Sequence, residues 1–177
     1  HNTRPQINIG VYGSAAFTTI PQIIELFTKN NPGVDVVLHS ARKEQQIQAL
    51  RHGKILIAFD RFLQEEPDIA CEEVLSEPIL MALHKDHPLA HQEVIDMRKL
   101  QDELFIGSSD KSHDEHSLRT WGYVKKIEKR VDDLISGLTL VDRGFGIFYA
   151  PPSAKLLPFK NIVYREFAGS QNFYFKL

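Results

Sequence analysis

The chain has 177 residues, an apolar content of 42% and a formal net charge of −2 at pH 7. This charge, without a run of lysine or arginine, argues against a nucleic-acid-binding surface in these residues. The single cysteine, Cys71, excludes an internal disulfide and a multi-cysteine metal site, and we expect it to be a small buried residue. No apolar run approaches the ~18 residues of a membrane span, so we expect no membrane partner and a cytoplasmic location.

The first part of the chain alternates strands and helices. The predicted elements are a strand at 7–12, a helix from Thr18 or Thr19, a strand at 34–39, a helix at 43–51 and a strand at 55–59. Ile20, Ile23, Ile24 and Phe27 recur at helical spacing, and Gly53 is typical of a helix end. This order predicts a parallel sheet with helices on its faces.

A second alternation follows. The predicted strands are 79–83, 104–106, 123–131 and 147–150, and the predicted helices are 94–100, 114–121 and a helix whose apolar face is Leu134, Leu138 and Val141. Two late strands, 161–167 and 172–176, are expected to return to the first lobe. We therefore predict a two-lobed α/β fold with a mostly parallel sheet in each lobe, flanked by helices, and a ligand cleft between the lobes. The predicted lobes are 6–76 with 165–177, and 77–164.

Glycine and hydroxyl residues separate the first strand from the first helix. Gly13, Ser14 and Thr18 lie where free helix N–H groups and the positive end of the helix dipole can bind an anion. The alternative is that Ser14 and Thr19 only cap the helix.

Cations occur where the next two strands end. Arg42 and Lys43 begin the second helix, with Ser40 as its candidate cap, and Arg61 follows the third strand. The helix dipole opposes such cations by about 0.3–1 kcal/mol each, so a bound anion would relieve the conflict. The alternatives are solvated charges, or a weak surface ion pair of Arg61 with Asp60 or Glu65.

Four segments resemble the effector-binding domain of LysR-type transcriptional regulators. They are INIGVYGSAAFTTIPQIIELFTKNNPGVDVVL, QIQALRHGKILIAFDR, EPILMALHKDHPLA and GLTLVDRGFGIFYAPPSA. AFDRF and YGSAAF look most similar to the branch that senses muconate, benzoate and related products of aromatic catabolism. The resemblance implies a type 2 periplasmic-binding-protein-like fold that senses a small carboxylate and assembles as a homodimer or homotetramer. It also implies that DNA is bound only through an N-terminal winged helix-turn-helix domain outside these residues.

The resemblance also implies site residues. Ser14 corresponds to the serine that binds the effector carboxylate, Lys43 to a threonine of the muconate branch and Arg61 to a cleft arginine. Lysine in place of threonine favours a more anionic effector. The effector-binding set, completed from loops that match the two sides of the cleft, is Gly13, Ser14, Phe17, Thr18, Arg42, Lys43, Arg61, Ser109, His113 and Asp114.

Other signals favour no catalytic or metal chemistry. His84 with His87, and His113 with His116, have a spacing that metal sites use, but each pair is better explained by a turn or by solvated charge. We expect no metal, no cofactor and no enzymatic activity. The rival function is a periplasmic receptor for a small anionic solute, since the fold is shared; a less favoured rival is an enzyme on the same scaffold.

Overall fold

The structure is a computed structural model that describes residues 4–13, 19–61, 66–111, 114, 119, 121–168 and 174–176. The chain forms two compact units. Unit 1 comprises His1–Ser76 and Phe175–Leu177, and unit 2 comprises Glu77–Tyr174. No helix within the described residues is long and apolar enough to cross a membrane.

Unit 1 contains a three-stranded parallel sheet in the order β2-β1-β3. Its elements are β1 (Gln6–Val11), α1 (Thr19–Asn30), β2 (Asp35–Ser40), α2 (Lys43–Arg51) and β3 (Ile57–Phe59). Helix α1 begins at Thr19 with Pro21 in its first turn, where a missing backbone N–H costs nothing. Ile9, Val11 and Ile20 form the buried core. The predicted parallel β-α-β-α-β order is therefore confirmed.

The ends of α2 show one correct and one wrong prediction. Its N-cap is Arg42, whose backbone N–H donates to Gln45 Oε1 at 3.3 Å, whereas Ser40 is the last residue of β2. The expectation that Ser40 caps α2 is therefore wrong, because the chain stays extended for two residues beyond it. At the other end, Gly53 adopts φ = 65° and ends the helix as predicted.

Unit 2 contains the second set of elements. They are β4 (Ser76–Pro78, at the unit boundary), β5 (Leu80–His84), a 3-10 helix (Pro88–His91), β6 (Val94–Ile95), α3 (Met97–Leu100), β7 (Leu104–Ser108), β8 (Lys126–Val131), α4 (Leu134–Asp142), β9 (Phe148–Ala150), a 3-10 helix (Pro152–Leu156), β10 (Ile162–Phe167) and, again at the unit boundary, β11 (Tyr174–Lys176). The sheets are β6-β10-β5-β9, β7-β8 and β11-β4. Leu138 and Val141 of α4 are fully buried, which confirms the apolar face predicted for this helix. Except for Asp114, Arg119 and Trp121, the predicted helix 114–121 lies outside the described residues.

Parallel pairing does not extend throughout unit 2. Strand β5 pairs antiparallel with both β10 and β9, whereas β7 and β8 are parallel. The first four residues of β5 are all buried, and a continuous apolar run predicts burial on both faces without fixing the direction of the neighbours. The sheet that holds β5 is therefore mixed rather than mostly parallel.

Strand β10 belongs to unit 2. Arg165 pairs with Met81 of β5, and Phe167 pairs with Ile95 of β6. Residues 165–167, which the sequence placed in the first lobe, thus lie in the sheet of unit 2. The helix predicted at 94–100 is shorter in the structure, because Val94 and Ile95 form strand β6 and only Met97–Leu100 form α3. Asp96 caps α3 by accepting the backbone N–H of Arg98 at 3.0 Å.

Candidate functional site

The three strands of unit 1 end at one edge of the sheet, which we call the unit 1 edge (residues 12–13, 41–43 and 60–61). The backbone N–H of Ala41 donates to Val11 O at 3.4 Å, and that of Tyr12 donates to Phe59 O at 3.1 Å. These bonds bring together the segments that carry the predicted site residues Gly13, Arg42, Lys43 and Arg61. The other three predicted residues of unit 1, Ser14, Phe17 and Thr18, lie outside the described residues.

Gly13 makes the turn that leaves β1. Its φ of 77° lies in the left-handed region, which glycine adopts without the penalty that a Cβ brings. A Cβ at this position would meet no atom within 4 Å. Glycine is therefore required here by the backbone conformation rather than by close packing.

The cations at the unit 1 edge differ in exposure. Arg42 is exposed and Lys43 half-buried at the start of α2, where the helix dipole disfavours positive charge. Arg61 is only 8% exposed, so the alternative of a weak ion pair at the surface does not fit the burial of this residue. A buried guanidinium makes the edge more positive than a solvated one, because water screens it less.

Sequence reasoning missed a buried acid at the same edge. Asp60 is 5% exposed, and its Oδ2 accepts a hydrogen bond of 3.0 Å from Gln46 Nε2 of α2. Burial raises the pKa of the Asp60 carboxyl to about 6, although the backbone N–H of Arg61 and the charge of Lys43 both act to lower it. The available signal was an acid placed directly after an apolar strand and before a cation.

Asp60→Asn should remove a pH dependence of stability. Because the folded protein binds this proton more tightly than the unfolded chain, wild-type stability falls as pH rises from 4 to 6 and stays lower above 6. The asparagine keeps an acceptor for Gln46 and carries no charge, so we expect it to gain about 1–3 kcal/mol at pH 7 and nothing at pH 4. Urea unfolding across this range tests the prediction, with exposed Glu44→Gln as control. An Asp60→Asn effect that is the same at pH 4 and pH 7 would contradict it.

Gln46 also explains a glycine in β1. Its side chain is 1% exposed, and a Cβ at Gly10 would lie 2.5 Å from Gln46 Oε1 and 2.7 Å from Ile55 Cδ1. A larger residue at position 10 would force the ends of these two side chains to move, so glycine leaves room for the buried Gln46 side chain against β1. This room lets Gln46 reach Asp60 at the unit 1 edge.

In unit 2, two predicted residues lie where parallel strands β7 and β8 end. The Ser109 hydroxyl donates to the Asp132 carboxylate, and the Ser109 N–H donates to Val131 O at 2.9 Å. Asp114 forms a bidentate pair with Arg130, at 2.6 Å from Nη2 and 3.3 Å from Nη1. The third predicted residue, His113, lies outside the described residues.

Arg130 and Lys125 were not predicted. Arg130 Nη1 also donates to Ser108 O at 2.7 Å, so the guanidinium ties Asp114 to the end of β7. A cavity of about 170 Å³ is lined by Asp114, Val124, Lys125, Ile127 and Arg130. The unit 2 edge (residues 108–109, 114 and 130–132) therefore presents a paired arginine and its acid, and Lys125, which precedes β8, lines the cavity beside them.

Lys125 lies against aromatic rings. Its Nζ is 4.1 Å from the centroid of the Tyr149 ring, which stacks on Trp121 with a centroid distance of 5.0 Å. Burial lowers the pKa of the Lys125 amine to about 7, against a smaller raising effect of Asp114. The alternating pattern of 123–131 predicts a strand but does not show that one of its lysines is partly buried against aromatic rings.

His87 and Cys71 stood out in the histidine and cysteine patterns of the sequence, and neither belongs to the unit 1 edge or the unit 2 edge. His87 Nε2 is 2.7 Å from Glu103 Oε2, and His87 Nδ1 accepts the backbone N–H of Leu89 at 3.0 Å, so this ring caps a 3-10 helix. The described residues contain no group of three potential metal ligands. Cys71 is exposed, which corrects its predicted burial, and it lines a cavity of about 420 Å³ with Glu66, Pro67 and Ile69.

Comparison with known proteins identifies the family. The LysR substrate binding domain matches residues 1–174. The chain belongs to the LysR substrate-binding domain family. The family match agrees with the α/β fold described above, and it confirms the resemblance drawn from the sequence.

Individual relatives of this LysR substrate-binding domain are transcriptional regulators. TfdS of Cupriavidus pinatubonensis is 27% identical over 154 residues, which is 84% of this chain and 52% of TfdS. BenM of Acinetobacter baylyi is 27% identical over 166 residues, 89% of this chain and 55% of BenM. The chain thus spans about half the length of the curated relatives it matches.

A solved structure supports the fold of this LysR domain. The BenM effector binding domain with its effector benzoate superposes with a TM-score of 0.84 at 27% identity, covering 99% of this chain and 82% of that one. LysR effector-binding domains have the two-lobed type 2 periplasmic-binding-protein-like fold, so the predicted fold class is confirmed. The relatives are regulators, which does not favour the solute-receptor alternative.

Proposed function

We propose that this LysR domain binds a small carboxylate effector, with the unit 1 edge holding the carboxylate group. The observation that carries the proposal is the collection of Lys43, Arg42 and buried Arg61 at the carboxyl ends of three parallel strands. Ligands of α/β proteins bind at such strand ends, and cations there favour an anion. The benzoate named with BenM is a carboxylate of this class.

The proposal assigns different tasks to the two lobes. The first lobe comprises residues 6–76 and the C-terminal segment, and the second lobe comprises the residues between them. Ser14 and the N–H groups that begin α1 bind the carboxylate, and Gly13, Phe17 and Thr18 shape that loop. Arg42, Lys43 and Arg61 add charge, while Ser109, His113 and Asp114 contact the remainder of the effector from a cleft between the lobes. The Arg130 pair holds Asp114 in place for this contact.

The same proposal covers signalling. The effector shifts the arrangement of the lobes only by its difference in affinity for two states, and subunit contacts in a dimer or tetramer carry the change to DNA. In this account DNA is bound by a helix-turn-helix domain outside the chain, in the cytoplasm, and the domain senses rather than catalyses. The curated relatives TfdS and BenM are named HTH-type transcriptional regulators, which supports this role.

A thermal-shift screen tests the proposal. Benzoate, substituted benzoates, muconate and other dicarboxylates would be compared with their uncharged amides. A bound acid at 100 times its dissociation constant should add about 2.7 kcal/mol of stability, whereas the matched amide should add little. Equal shifts with acids and amides, or no shift with any acid, would contradict the proposal.

Ser14→Ala should weaken binding of the acid found in that screen. Removing one donor from a bound carboxylate is expected to cost about 1–3 kcal/mol, which calorimetry measures as a higher dissociation constant. Thr139→Ala is the control, since this exposed hydroxyl donates to Ile135 O within α4. Unchanged affinity in Ser14→Ala would remove this serine from the site.

A further inference from the structure

The charge balance at the unit 1 edge depends on one buried acid. We propose that Asp60 determines which effector charge the site accepts: ionised Asp60 makes the site select monocarboxylates, and neutral Asp60 admits dicarboxylates. This inference rests on the proposed carboxylate-binding function, which it extends to a class of ligand. It assigns to Asp60 a specificity-determining role through charge, not direct contact with the effector.

The first support is the position of the carboxyl group. Asp60 directly follows β3 and is 5% exposed, so little water is available to screen its charge. Its hydrogen bond from Gln46, which is 1% exposed, fixes the carboxyl beside the first turns of α2. The group is thus held at the edge where Lys43 and Arg61 also lie.

The second support is the number of charges around it. The described charged side chains at this edge are Arg42, Lys43 and Arg61 as cations and Glu44 and Asp60 as acids, and the segment after β1 contributes no acid or cation at residues 12–13. Glu44 is exposed and weakly felt. Arg42 is exposed in the same way, so ionised Asp60 offsets one of the two shielded cations, Lys43 and Arg61. About one positive charge then remains, which suits one carboxylate and opposes a second.

The third support is that this acid can change its charge near neutral pH. Burial raises the pKa of Asp60 to about 6, so a modest fall in pH makes the group neutral and the edge more positive. The competing role is purely structural, with Asp60 serving only to fix α2 through Gln46. A structural role would change stability, or the affinity for all acids equally, but not the preference between monoanions and dianions.

The test measures a ratio of affinities. Calorimetry with benzoate and with cis,cis-muconate, at pH 7.5 and pH 5.5, gives the affinity for muconate divided by that for benzoate. In the wild type this ratio should rise about three- to tenfold as the pH falls, since a second ligand charge no longer faces Asp60. The wild-type series needs no variant and therefore does not depend on the folding of one.

The Asp60→Asn variant carries a neutral side chain at every pH, so it should reproduce the behaviour of the wild type at low pH. Its ratio at pH 7.5 should already equal the high value and should not change with pH, while Glu44→Gln should behave like the wild type. If both acids bind but the ratio is the same in all three proteins, the selectivity role is overturned and the carboxylate site stands. If neither acid binds the wild type at millimolar concentration, the carboxylate site fails, and the selectivity role fails with it.

Discussion

Gly146→Ala is expected to destabilise the protein by about 2–4 kcal/mol, because two separate penalties act at this residue. Its φ is 155°, and a Cβ there would lie 2.7 Å from the carbonyl oxygen of Leu104. That carbonyl cannot easily move, since it accepts the backbone N–H of Ile147 at 2.9 Å. Urea unfolding at pH 7 measures the change in the free energy of unfolding.

Two other glycines provide graded controls for this prediction. Gly144 has φ = 78° with no atom within 4 Å of a Cβ, so Gly144→Ala should lose only about 1 kcal/mol from backbone strain. Gly33 has neither feature, and Gly33→Ala should be close to neutral. A Gly146→Ala loss no greater than that of Gly144→Ala would show that the contact with the Leu104 carbonyl is not real.

Lys125→Met should stabilise the protein at pH 7 by about 2–4 kcal/mol. Burial lowers the pKa of the folded Lys125 amine to about 7 from 10.5, so between these values the unfolded chain carries a proton that the folded chain lacks. Wild-type stability from this group therefore rises with pH above 7. Methionine fills the space between Tyr149 and Phe105 without a charge, and the Tyr149 cation–π contact keeps the gain below the full linkage value.

Urea unfolding of the wild type and of Lys125→Met at several pH values tests this assignment. The gain from Lys125→Met should shrink steadily between pH 7 and pH 9.5, because the wild type loses its penalty over that interval. Lys126→Met is the control, since Lys126 is exposed and lies 3.8 Å from Asp102 at the surface. A gain that does not change with pH, or an equal response from both lysines, would refute the assignment of a buried amine.

The architecture of unit 1 was predictable from local signals. Alternating apolar runs and helical spacing predicted the order of its strands and helices, while Pro21 and Gly53 located a helix start and a helix end. Unit 2 was harder, because the direction of β5 and the partners of β10 depend on contacts between distant segments. The hydrophobicity of a strand and the spacing of its apolar residues do not specify which strands pair with it.

The candidate site was predictable only in part. The grouping of Arg42, Lys43 and Arg61 at one edge was predictable because the ends of parallel strands share an edge, which the order of elements fixes. A local pattern marks the position of Asp60 after a strand, but the burial of Asp60 and the partial burial of Lys125 depend on residues distant in the chain, so their environments are not encoded locally. Only the folded arrangement distinguishes these two from solvated acids and lysines.

The central claim is that the carboxylate of an effector is bound at the unit 1 edge. The most direct measurement is a crystal structure of this domain with the acid that gives the largest thermal shift. We expect carboxylate density within hydrogen-bond distance of Ser14 or the Lys43 amine, at the start of α1 or α2. Density for that acid at another place, with the unit 1 edge filled by protein side chains, would contradict the claim.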